Sequence, residues 1–146
     1  MAFRRIFQQT DVSGCLEPGL QALGQYSRLI HCNNPVQIES SVDIDSCLTA
    51  RFPNDNRWDY ALGWNNTIYY VEVHHVSDSE VQTMINKYRW LRDWQNRQPN
   101  TAQLKNGSKV FWVNSKDGGS ITKNSVFIRR LASAGIAPPC KSLDIA

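Results

Sequence analysis

Two runs in the middle of the chain, Trp58–Trp64 and Thr67–Val76, alternate in side-chain character, and Asn65-Asn66 stands between them. A period of two predicts strands. Asparagine tolerates positive φ, so Asn-Asn predicts a two-residue hairpin turn. A turn of that length fixes the register: Trp64 pairs with Thr67, Leu62 with Tyr69, Tyr60 with Val71, Asp59 with Glu72 and Arg57 with His74. Trp58, Tyr60, Leu62, Trp64, Tyr69, Val71 and Val73 then share an apolar face. Asp59, Ala61, Gly63, Ile68, Tyr70, Glu72 and His74 share the other.

Helical spacing of Leu20, Leu23, Ser27 and Ile30 behind Pro18 predicts a first helix over Pro18–Ile30. Val42 and Ile44 alternate with Ser41, Asp43 and Asp45, which predicts a strand there. Arg51–Asn56 reads as a loop. Val81, Met84, Ile85, Tyr88, Leu91 and Trp94 mark one face of a long helix, with Ser77 and Glu80 at capping-box spacing before it. Lys109–Asn114 predicts a buried strand, Lys116–Ser120 a glycine-rich turn and Asn124–Ala134 a last helix. The order helix, strand, hairpin, helix, strand, helix predicts an α/β fold, a mixed sheet flanked by helices, in one domain spanning 1–146.

Composition changes this picture little. The 146 residues are 41% apolar and 20% charged, ordinary for a globular chain. No apolar run is long enough to span a membrane. The two arginines near the start have no apolar stretch behind them, so no signal peptide is read there and a cytoplasmic location is expected. The four cysteines, Cys15, Cys32, Cys47 and Cys140, form no CxxC pair and are expected as free thiols. The net charge of +3 hides an asymmetry: residues 1–80 carry five arginines against ten acids, residues 81–146 eleven basic residues against three acids. Acids that could hold a cation lie in the first half, and positive charge that could hold phosphates in the second.

The chemistry centres on Asp59 and Glu72. Directly opposed strand residues have Cβ atoms about 5 Å apart, and two carboxylates at that distance repel by roughly 3 kcal/mol at an effective dielectric near 20. A divalent cation, Arg57, a retained proton or plain solvation would each offset this. A zinc site from His31, His74 and His75 is disfavoured, because adjacent strand residues point to opposite faces. Asp43 and Asp45 read as a solvated pair on one strand face, or as a supplement to a metal site if that strand neighbours Asp59. Trp90 falls off the helix stripe near Lys87, Arg89, Arg92 and Arg97; an exposed indole on a basic face could stack a base, or Trp90 packs against a second apolar seam or a partner. Arg129, Arg130 and Lys123 could add phosphate contacts.

Asp59, a gap of twelve residues and Glu72-Val73-His74 resemble the PD-(D/E)xK nuclease superfamily, of restriction-endonuclease-like fold. The resemblance covers about residues 18–114 and implies a core of helix, three strands, helix, strand, here with a C-terminal helix. It implies a metal-dependent nuclease hydrolysing phosphodiester bonds, with Mg2+ or Mn2+ held by Asp59, Glu72 and the Val73 carbonyl. The motif lysine position is held by His74, which would orient or deprotonate the attacking water or bind the metal, and Lys87 on the next helix is the candidate migrated lysine. Glu17 or Glu39 would be the additional acid of some members. Nucleic acid, DNA or RNA, is the implied partner, with Arg57, Arg89, Trp90, Arg97 and Lys116 as contacts; no membrane is implied and a homodimer is allowed. The departures from the motif keep two alternatives open: an inactive nucleic-acid-binding relative and a protein-interaction module.

Overall fold

Strands form where the sequence alternates, and also at three short sites where it does not. In the computed structural model, which describes residues 2–145, they are β1 (Leu16–Pro18), β2 (Ile30–Cys32), β3 (Ile38–Asp43), β4 (Tyr60–Trp64), β5 (Thr67–Val73), β6 (Lys109–Val113) and β7 (Leu143–Ile145). The α-helices are α1 (Ala2–Phe7), α2 (Ile44–Leu48), α3 (Val81–Arg97), α4 (Thr101–Lys105) and α5 (Val126–Ala134). A five-stranded sheet runs β1-β3-β4-β5-β6, and β2 pairs with β7 in a separate parallel ribbon. Every neighbour in the large sheet is antiparallel except β5 and β6, which are parallel and joined through α3 and α4. The fold is thus a mixed α/β fold with a mixed sheet.

The hairpin takes the register expected from its turn. Asn65 and Asn66 have φ of 49° and 58°, the left-handed pair that a two-residue turn needs. Trp64 pairs with Thr67, Leu62 with Tyr69 and Tyr60 with Val71. Both faces are buried. Leu62, Tyr69, Val71 and Val73 pack with Leu23, Ile30, Leu143 and Ile145 on one side. Ala61, Ile68 and Tyr70 pack under α1 and α3 on the other. The acid-bearing face is therefore no wet side but the floor of the larger core. Trp58 precedes β4 and packs in that same core, edge-on to Tyr88, and so does not join the Tyr60 face.

Several expectations are corrected. Pro18–Ile30 is not an α-helix: Leu16–Pro18 is an edge strand, and Gln21–Leu29 is two 3-10 segments broken at Gly24, whose φ of 53° no helix accommodates. Ile44 and Asp45 leave the strand. Asp43 accepts from the Ser46 amide at 2.9 Å and caps α2, so the asparate pair does not share a strand face. Asp43 and Asp45 are half-buried, and each has a partner: Asp43 bonds Ser46, and Asp45, still 40% exposed, pairs with Arg57 at 2.8 Å. Ser77 and Glu80 form no capping box: Ser77 makes no side-chain cap, and the Glu80 carboxylate turns to two histidines instead. Cys15 and Cys47 are joined in a disulfide, leaving Cys32 and Cys140 free. Among the described residues no helix is long and apolar enough to cross a membrane.

Candidate functional site

The β4–β5 ladder ends at Tyr60 and Val71, and from there side chains take over the backbone bonding. The Asp59 amide donates to Glu72 Oε1 at 3.0 Å, and the Val73 amide donates to Asp59 Oδ2 at 3.0 Å. Each acid thus holds the strand that carries the other. The Asp59 carbonyl accepts from the Ile44 amide at 2.8 Å, which ties the site to the start of α2.

Lys87 completes the cluster. It lies on the sheet-facing side of α3, close to Leu91 and Trp94 by helical phase, both fully buried. Its ammonium donates to Glu72 Oε2 and stands 3.7 Å from Asp59 Oδ1. The Glu72 side chain is wholly buried, whereas those of Asp59 and Lys87 are 18% and 16% exposed. Burial, then the neighbouring Asp59 charge, pushes the Glu72 carboxyl well above its ordinary range; Lys87 opposes this. Burial likewise raises Asp59, against Lys87 and the Val73 amide. Burial works against the Lys87 charge, yet Glu72 and Asp59 outweigh it and hold the ammonium above its usual pKa. Two acids and one cation leave a negative excess in a dry place. Such a site retains a proton or accepts a further cation.

The remaining candidates separate into two groups. Arg57 is not a free phosphate contact: it pairs with Asp45 at 2.8 Å, donates to the Phe52 carbonyl and is 13% exposed. Trp90 is not an exposed stacking platform. Its indole is buried, stacks on Trp94 and donates to Asp55 at 2.9 Å. Arg89 lies two positions beyond Lys87, about 200° around the helix, and lines a groove of about 310 Å3 with Arg129 and Arg130. Arg97 is exposed with its guanidinium over the Phe52 ring. Lys116 lines a cleft of about 510 Å3 with Arg28, Lys141, Asn114, Ser115 and Gly118. Glu39 accepts from the Phe3 and Arg4 amides and so caps α1, and Glu17 lies on edge strand β1.

His74 and His75 fall beyond the last ladder residue of β5, so strand alternation no longer separates them. Their rings stack at 5.0 Å, and both reach Glu80 Oε1, at 2.8 and 3.2 Å. Strand alternation, expected to aim the two rings to opposite faces, therefore does not hold here, and both rings share one carboxylate oxygen. His31 instead bonds Asp144 on the β2–β7 ribbon. Sequence reading treated Glu80 only as a capping residue. An acid five and six positions after paired histidines, across a strand-to-helix loop, is the signal that points to it.

Comparison with protein-family models, with curated proteins and with solved structures gives no match for the chain.

Proposed function

We propose that this chain is a divalent-metal-dependent nuclease built on a restriction-endonuclease-like core. The observation that carries the reading is the convergence of Asp59, Glu72 and Lys87 from two hairpin strands and the following helix. Three consecutive antiparallel strands, a crossover helix and a parallel strand, β3 to β6, supply the order that the motif resemblance implies. The first helix of that core is here a broken 3-10 segment.

The donor set fits the metal. Asp59 and Glu72 offer carboxylate oxygens, hard ligands suited to Mg2+ or Mn2+, with the Val73 carbonyl a third candidate. Their negative excess, tempered only by Lys87, makes a cation welcome. Such an ion, when bound, polarises a phosphoryl oxygen and acidifies a water. Lys87 then supplies the fixed positive charge that the motif places two residues after Glu72. His74 cannot supply it there while Glu80 holds its ring. Arg89, Arg97 and Lys116 remain exposed for backbone phosphates, in a manner sensitive to salt.

A second reading rests on one observation: Glu72 is wholly buried, and both of its oxygens are already engaged. On that reading the triad is an internal ion cluster in an inactive relative that binds nucleic acid or a protein. Incubation with single- and double-stranded DNA and RNA in Mg2+ or Mn2+ separates the two. The nuclease reading expects cleavage that is lost in Asp59→Ala and Glu72→Ala while circular dichroism stays native. Salt-sensitive binding without cleavage selects the second reading. The assay is run with and without reductant, since disulfides persist in oxidising surroundings.

A further inference from the structure

We propose that His74, His75 and Glu80 form a binding site for one divalent transition-metal ion of the zinc class. This site is separate from the Asp59–Glu72 pair, and the inference does not depend on the nuclease reading. Ligand atoms from the three residues lie within 4.8 Å of one another. The two Nε2 atoms stand 2.8 and 3.2 Å from one Glu80 oxygen. In a tetrahedral site with metal–ligand distances near 2.0–2.1 Å, neighbouring ligand atoms are about 3.3 Å apart. The gathered atoms become three corners of such a tetrahedron when their widest separation, within 4.8 Å, closes by at most about 1.5 Å.

The donor chemistry selects the ion. Two imidazoles and one carboxylate are a borderline set that suits Zn2+ and Co2+ over Mg2+, which prefers oxygen. Three protein ligands leave a fourth position for water or a ligand oxygen. The His74 backbone is held from both sides. The His74 amide donates to the Val113 carbonyl at 3.0 Å, and the His74 carbonyl accepts from Trp112 Nε1 at 2.8 Å. Glu80 sits on the 3-10 turn that leads directly into α3. His75 is 46% exposed, so an ion can enter from solvent. The two clusters have separate partners: His74 and His75 bond Glu80, whereas Asp59 and Glu72 bond Lys87.

The test uses the full chain, freed of metal with chelator, and titrates Zn2+ by calorimetry and Co2+ by visible absorption. The expected result is one ion per chain, with Co2+ bands of a low-coordinate nitrogen–oxygen site and a raised unfolding temperature. His75→Ala, on an exposed side chain, and Glu80→Gln, an isosteric change on one that is 20% exposed, should weaken binding at least about tenfold without altering the circular dichroism. Glu72→Gln should bind Zn2+ as the wild type does. Absence of Zn2+ binding, or binding unchanged in His75→Ala and Glu80→Gln, overturns the proposal. Binding lost in Glu72→Gln but kept in the other two also overturns it, by assigning the ion to the acid pair.

Discussion

Lys87 pairs with the buried Glu72 and with Asp59, which is 18% exposed. Lys87→Met leaves Asp59 and Glu72 facing each other without it. Removing one partner of a buried pair costs about 3–5 kcal/mol, and urea midpoints should show a loss of that size. The same cluster sets a pH dependence. Folded Glu72 keeps its proton to higher pH than the unfolded chain, whose value is near 4.5. Its contribution to stability is therefore full below that value and lost as pH rises through the folded pKa. Unfolding free energy measured from pH 4.5 upward should fall in the wild type and flatten in Glu72→Gln. An equal slope in both proteins would place the pH dependence elsewhere. At this scale the sequence made the acid pair legible, since register follows from turn length. It did not show which cation answers the pair, because Lys87 reaches it only through the crossover geometry of α3. Nor did it show that Arg57 and Trp90 have internal partners in Asp45 and Asp55.

Among the elements, the legible ones carry their own period. The hairpin, α3, β6 and α5 were expected close to where they lie. α1, α4, β1, β2 and β7 were not, for a shared reason: each is three to six residues long, too short to display a period, and depends on a partner distant in sequence. β2 finds β7 across more than a hundred residues. α1 is held by the Glu39 cap and by the packing of Phe3 over Gly63, where an added Cβ would stand 2.4 Å from Phe3. Gly63→Ala must push α1 off the sheet and should cost about 1–3 kcal/mol, read as a lower unfolding temperature. At the turn, Asn66→Gly relieves a left-handed residue at φ 58° and should stabilise by a few tenths to about 1 kcal/mol. A loss of stability there would contradict the turn assigned to the hairpin.

Over the whole molecule, the sheet carries two cores, and the candidate site sits at the end of the β4–β5 ladder within the larger of them. The Cys15–Cys47 disulfide ties the segment before β1 to α2, whose first amide holds the Asp59 carbonyl. The pairing was hidden in sequence because only the sheet order sets β1 beside β3 and so brings the two cysteines near. Closing a separation of 32 residues should contribute about 3–4 kcal/mol on the chain-entropy model. Denaturant titration with and without reductant reads that difference. The central claim is that Asp59 and Glu72 together hold one divalent cation. Magnesium titration followed by thermal unfolding tests it most directly, since Mg2+ prefers these oxygens to the histidine cluster. The wild type should gain stability with concentration, reaching about 2.7 kcal/mol at a hundredfold excess over the dissociation constant, and Glu72→Gln should gain none. Equal curves for the two proteins would contradict the account.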